Sequence, residues 1–219
     1  MKRISFIFAI IISALSVSAQ ETSIDTLSID NAMNICIRLR DAAATNDTIA
    51  IQQSAEDLRN LKICNFNSLR CKDDTIASLN GHLIFDENFA DSLAKDSDAY
   101  LRADEILLRS EEQRGQNPDG SISTKTCFVK AGSSTKHSFR AKGHQELAVV
   151  AEAGGLVTMK IHVTNSAGLD ERHDDTKDVA KGRPHRKTSF ELPTNKTNIV
   201  ELEVLNCCDK DISFVVISN

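Results

Sequence analysis

Val157-Thr158-Met159-Lys160-Ile161-His162-Val163-Thr164 sets an apolar residue at every second position with a polar one between. That is the period of a β-strand with one face in a core. Val200-Glu201-Leu202-Glu203-Val204 repeats the pattern, and further strand-like runs lie at 122–130, 135–141, 145–152, 187–192 and 211–218. About seven short strands in about a hundred residues is the density of a β-sandwich.

Upstream the period changes. Apolar residues fall at Ile29, Met33, Cys36, Ile37 and Ala44, then at Ile51, Ala55, Leu58 and Leu61, with Thr45-Asn46-Asp47 between the two sets. This is helical spacing with a cap-like break. A third helix is predicted over 87–114, carrying Phe89, Leu93, Ala94, Tyr100, Leu101, Leu107 and Leu108 on one face, with Ser97 and Asp104 interrupting the stripe. Gly115-Gln116-Asn117-Pro118-Asp119-Gly120 then stops the helical pattern. The expected architecture is α+β: a helical domain over 20–116 of about three helices, then an all-β sandwich or jelly roll over 121–219.

The amino terminus adds a third segment. Lys2-Arg3 precede an apolar run from Ile4 to Leu15 and then Val17-Ser18-Ala19, the order of a signal peptide over 1–19 cleaved after Ala19. The run is shorter than the ~20 apolar residues a bilayer requires, so no transmembrane anchor is expected in the mature chain. The expected location is outside the cytoplasm: periplasmic, outer surface or extracellular.

Charge follows the same division. Residues 20–120 carry 10 basic and 19 acidic groups, net −9, and 121–219 carry 14 and 12, net +2. Without Lys2 and Arg3 the 26 basic residues fall to 24 against 31 acidic ones, net −7. An acidic chain argues against nucleic acid as a partner, since the backbone attraction is missing, and with no Trp and one Tyr the aromatic platforms that stack sugars or bases are largely missing. The partner expected is a protein or a glycan of the cell envelope.

Six cysteines in an exported chain suggest disulfides. Cys64 and Cys71 close a short loop and form the best local pair. Cys127 opens the β region and Cys207-Cys208 lie near its end, so one long-range staple across the sandwich is expected, and at least two disulfides in all. Adjacent cysteines rarely bond to each other, which gives Cys207 and Cys208 different partners or leaves one free. Cys36 has no assigned partner.

The strand pattern, taken with its turns, carries a resemblance. His137-Ser138-Phe139, Leu147-Ala148-Val149-Val150, Val157 to Val163 followed by Asn165-Ser166-Ala167-Gly168, Val200 to Asn206 and Ser213-Phe214-Val215-Val216-Ile217 together resemble the bacterial pre-peptidase C-terminal domain over about the last 95 residues. The resemblance implies a jelly-roll sandwich of the kind appended to secreted enzymes and surface proteins, in an accessory, binding or secretion-related role. The Gly-x-Tyr usual before the penultimate strand is absent here, and so is a peptidase domain.

Catalytic motifs are missing from the sequence: it holds no Gly-x-Ser-x-Gly, no His-Glu-x-x-His, no phosphate-binding glycine loop and no Cys-x-x-Cys. Cys127 with His137 or His162 is read as a disulfide half and two strand residues. The reading is therefore non-catalytic, with no cofactor and no metal; an envelope hydrolase, or an inhibitor of one, is the alternative.

Three local features remain. Asp170-Glu171-Arg172-His173-Asp174-Asp175-Thr176-Lys177-Asp178 is rich in oxygen donors but matches no calcium-loop spacing. Arg172 and Lys177 offset part of its charge, and a solvated loop is expected. The basic cluster Lys181, Arg183, Arg186 and Lys187 is either a strand connection or a contact for an anionic glycan or for the acidic helical half. Lastly, Asp-Thr/Ser-aliphatic tripeptides place hydroxyls at Thr26, Thr48, Thr75 and Ser92. They resemble the O-glycosylation acceptor motif of one large phylum of Gram-negative gut and oral bacteria, and they equally suit helix starts. Asn46-Asp47-Thr48 and Asn195-Lys196-Thr197 also fit the N-linked sequon.

Overall fold

The computed structural model describes residues 28–61, 63–66, 69–71, 81–85, 87–103, 122–164, 170–174 and 182–219. The proposed leader 1–19, the boundary segment 115–120, Thr26, Thr75 and Lys181 lie outside them.

Helix α1 (Ile29–Thr45) starts where Ser28 Oγ accepts the Asn31 N–H at 3.1 Å, satisfying one of the orphan donors of a first turn. It ends on Asn46 in the left-handed conformation (φ 54°, ψ 34°), a helix-stopping role that Asn fills better than most residues. Asp47 at once caps α2 (Thr48–Asn60), accepting from Ala50 N at 3.0 Å. Two helices thus meet across the predicted Thr45-Asn46-Asp47 break.

The third helix is shorter than expected. α3 runs Glu87–Lys95 and gives way to a 3-10 turn at Ala99–Arg102. Asp96 is the cause: its Oδ1 accepts from Asp98 N at 3.0 Å, and its other oxygen pairs with Arg102, so a side chain competes for the backbone donors that would prolong the helix. The predicted continuation through 104–114 lies outside the described residues.

The β region forms two sheets. β1 (Cys64–Asn65), β3 (Ser123–Val129), β10 (Ile212–Ser218), β5 (Gly143–Ala151) and β8 (His185–Leu192) form one, in the order β1-β3-β10-β5-β8. The other contains β2 (Arg70–Cys71), β4 (Ser134–Ala141), β9 (Asn198–Asn206), β6 (Val157–Thr164) and β7 (Asp170–Asp174), in the order β2-β4-β9-β6-β7. The eight strands from β3 onward are antiparallel, and the chain changes sheet at every step except the β6–β7 hairpin. This is the strand order of a jelly roll. The architecture is α+β, as the change of hydrophobic period required.

Two additions were not anticipated. The predicted acidic loop begins as a strand: β7 pairs with β6 from Lys160↔Asp174 to Thr164↔Asp170, so Asp170–Asp174 is sheet edge, and 175–178 lies outside the described residues. Residues from the helical half also enter the sandwich. Cys64↔Ser123 pairs in parallel with β3, and Cys71↔His137 pairs antiparallel with β4, so the short loop between the two cysteines crosses from one sheet to the other.

Alternation along the strands divides the core in two. Leu147, Val149 and Ala151 of β5 face Met159, Ile161, Leu202 and Val204 across the sheets, with Phe214 and Val216 of β10. Their neighbours Ala148, Val150, Val215 and Ile217 point the other way, into one cluster with Ile29, Ile35, Leu39, Leu58, Phe85, Phe89 and Leu93. The helices therefore lie against the outer face of the first sheet and share a core with it. Each fully buried Leu or Phe in that cluster contributes about 1.5–3 kcal/mol.

The cysteine framework is corrected by this geometry. Cys36, Cys207 and Cys208 are free thiols, so at most one pair can come from the other three. Cys127 faces the inter-sheet core from the middle of β3, with its Sγ 3.8 Å from His137 Nδ1. Cys207 and Cys208 follow β9 at the sandwich edge, where Cys208 Sγ accepts from Leu156 N at 3.1 Å. Because Cys207 and Cys208 are both free, the expected Cys127–Cys207 or Cys127–Cys208 bond is not formed.

Candidate functional site

A cleft of about 320 Å³ opens at the seam between the helical layer and the first sheet. Ala43 and Ala44 at the end of α1 form one wall, Tyr100 and the segment from Gly81 to Leu83 another, and Glu152, Ala153, Lys210 and Asp211 complete it. Five separate stretches of chain meet there, none of them marked by a motif.

Its chemistry centres on one carboxylate. Glu152, 9% exposed, follows the last residue of β5 on the helix-facing side. His82 Nδ1–H donates to Glu152 Oε2 at 2.8 Å, and Ser213 Oγ–H donates to the same oxygen at 2.8 Å, with Leu83 O a second acceptor at 3.2 Å. The hydrogen bond to Glu152 raises the His82 pKa above 6.5; burial opposes it, the Glu152 charge adds to it, Lys210 works against it and Asp211 slightly with it. His82 also meets the Phe128 ring edge-on, with centroids 6.0 Å apart.

Bonds from backbone N–H groups, to backbone and side-chain acceptors, hold the rest of the wall. Gly81 N–H donates to Tyr100 O at 2.8 Å, and Phe85 N–H to Thr126 Oγ1 at 2.8 Å. Gly81 has φ of +85°, which lets the chain turn sharply into the cleft at little cost. Asp211 Oδ1 accepts from Ala131 N at 2.9 Å, fixing the base. Lys210 Nζ donates to Ala153 O at 3.3 Å and brings a positive charge to the cleft.

Chemically, the cleft is a set of fixed polar groups of both signs beside one aromatic ring. It lacks the Ser–His–acid relay: Ser213 and His82 bond the same Glu152 oxygen, so the hydroxyl is directed to the acid and away from the imidazole. Among the described residues no three His, Cys, Asp or Glu side chains converge as metal ligands.

The residues singled out from sequence fall elsewhere. Lys187 Nζ sits 2.8 Å from Asp30 Oδ1 and 3.0 Å from Glu146 Oε1, so it meets the acidic helical half. Arg186, its neighbour along β8, is buried and lies in register with Val149 on the inter-sheet side. Arg183 is exposed and bridges Val157 through its backbone. The basic cluster is thereby divided among opposite faces. Thr48 is exposed at the α1–α2 turn beside Ile49, itself 75% exposed, while Asp47 serves as the helix cap. Ser92 is half-buried on α3. Cys127 and His137 are buried between the sheets, and His162 points outward from the second sheet.

No helix among the described residues is long and apolar enough to cross a membrane. No protein family and no curated protein matches the chain. Solved structures overlap it in part. A mitogen derived from Yersinia pseudotuberculosis aligns over 45% of this chain and 85% of its own, at 8% identity and a TM-score of 0.34. TmCBM61, in complex with beta-1,4-galactotriose, aligns over 44% and 69%, at 9% identity and 0.30. A periplasmic inhibitor of g-type lysozyme from Salmonella Typhimurium aligns over 45% and 89%, at 15% identity and 0.28.

Proposed function

We propose that this chain is an exported, non-catalytic binding protein in which the jelly roll is the scaffold, the helical layer a wall, and the seam cleft the recognition site. Its ligand is a small polar, hydroxyl-rich molecule, a glycan fragment being the fitting class. One observation carries the reading: the His82–Glu152–Ser213 network fixes a carboxylate and an imidazole at the cleft wall, with Tyr100 and Lys210 beside them. Preset donors and acceptors next to an aromatic ring suit hydroxyl recognition. Export rests on the order of charged, apolar and small residues over 1–19, and the jelly-roll strand order supports an accessory role like that of the pre-peptidase C-terminal domain.

The alternative, an envelope hydrolase, draws on the raised His82 pKa, which poises a proton for transfer. A ligand-observed NMR screen of neutral, acidic and amino sugars with wild type and with Tyr100→Ala distinguishes the two. Reversible binding of an unchanged sugar, lost in Tyr100→Ala, is expected. Turnover of the sugar, or binding unaffected by the substitution, contradicts the proposal.

A further inference from the structure

A second polar group lies along the same seam. Arg40 on α1 is only 8% exposed; its Nε donates to Asp41 Oδ1 at 2.7 Å, while its Nη1 is buried and meets no acceptor. His185, the first residue of β8, likewise has a buried Nδ1 with no partner. A buried polar atom left unmatched costs about 1–3 kcal/mol, and two between α1 and the helix-facing side of the first sheet call for a reason.

Register brings the two to one place. His185 pairs with Val150, two residues before Glu152, and Lys187 on the same side of β8 reaches Asp30 of α1, so His185 faces the helical layer. Arg40 precedes Ala43 and Ala44, which line the cleft, by three and four positions and shares their helix face. The Arg40, Asp41 and Arg183 charges all act on His185: burial lowers its pKa most, Arg40 and Arg183 lower it further, and Asp41 opposes them. Lys187 is already engaged by two carboxylates. Two arginines, one imidazole and one carboxylate therefore lie within electrostatic reach of one another, Arg40 bonded to Asp41 and Arg183 exposed two positions before His185.

We infer that Arg40, His185 and Arg183 form a site for an oxyanion of sulfate or phosphate type, one helical turn from the cleft. Guanidinium groups suit such anions because their N–H fork matches the oxygen geometry. An anion there would supply the acceptor that Arg40 Nη1 lacks and the counter-charge that the cluster lacks. Placing that anion on the ligand held by the cleft rests on the binding reading above; the oxyanion site itself does not.

The test is NMR titration of full-length mature protein with inorganic phosphate and with sulfate, following the Arg40 Nε–H and His185 imidazole signals. Saturable shifts at both, with affinity reduced about tenfold in Arg40→Gln and severalfold in Arg183→Gln, are expected. Linear, non-saturating shifts, or equal affinity in wild type and Arg183→Gln, overturn the inference. Because Arg183 is exposed, its variant decides the matter even where Arg40→Gln does not fold. A sulfated oligosaccharide that binds more tightly than inorganic sulfate and also moves His82 assigns the anion to a cleft ligand; equal affinities assign it to the free ion. Phosphate at His185 with no sugar in the cleft leaves this site standing and removes the binding reading, and the reverse result removes this site alone.

Discussion

His82 and Glu152 are 70 positions apart in the chain and meet at 2.8 Å across the seam between helices and sandwich. The contact fastens the segment entering α3 to the end of β5, and Ser213 completes it from β10.

Stability should follow His82 titration. Its folded pKa is raised above 6.5, so the contribution is full below the unfolded value and is lost as pH rises through the folded one. His185 has a lowered pKa and contributes the opposite slope. The informative quantity is therefore wild type minus His82→Gln in urea midpoint. That difference should shrink as pH rises above 6.5, and a difference constant with pH contradicts the account.

The shared core predicts a single transition. Leu39, fully buried on α1, packs in the cluster that includes Ala148, Val150, Val215 and Ile217. Leu39→Ala should cost about 2–5 kcal/mol, and helix and sheet signals in circular dichroism should move to lower temperature together. Helical signal lost well before the sheet signal would mean that the layers are independent.

Thiol reactivity should sort by position. Cys207 is exposed and Cys208 half-buried, whereas Cys36 is fully buried and burial pushes its pKa up to about 12. Alkylation without reduction should modify Cys207 and Cys208 in native protein and Cys36 only after unfolding. Intact mass reads the result, and native protein that resists labelling at Cys207 would overturn the corrected cysteine assignment.

Gly155 supports the cleft from behind. A Cβ there would lie 3.0 Å from the Glu152 carbonyl oxygen and 2.9 Å from Ala151 Cβ. Gly155→Ala should destabilise by about 1–3 kcal/mol and shift the His82 imidazole resonance through Glu152. An unmoved resonance in a folded variant would separate Gly155 from the site.

Much of the fold was legible because one-sided burial imposes a period. Val157–Thr164 and Asn198–Asn206 alternate as sheet strands covered on one face, and Thr45-Asn46-Asp47 carries both a helix stop and a helix start. Strands covered on both faces are less regular: Leu147 to Ala151 is buried throughout because helices cover the far side. That continuous apolar run was the available sign of a third layer. β7 was hidden by its charge, since an edge strand need bury little, and β1 and β2 span two residues each, too few for any period. The cleft had no local signature at all. His82, Tyr100, Glu152 and Lys210 come together only through tertiary packing, so no spacing rule reaches them. The basic cluster is divided for a related reason: in a strand, Arg186 and Lys187 must face opposite ways, and only Lys187 of the two meets Asp30 of the acidic helical half.

The central claim is that recognition occurs at the seam and not on the open face of the second sheet. Amide chemical-shift mapping of wild-type protein with the tightest-binding sugar from the screen tests it most directly. Shifts concentrated at residues 43–44, 81–83, 100, 152–153 and 210–211 are the predicted result; shifts concentrated on the outward residues Lys136, Lys160, Glu201 and Glu203 would contradict it.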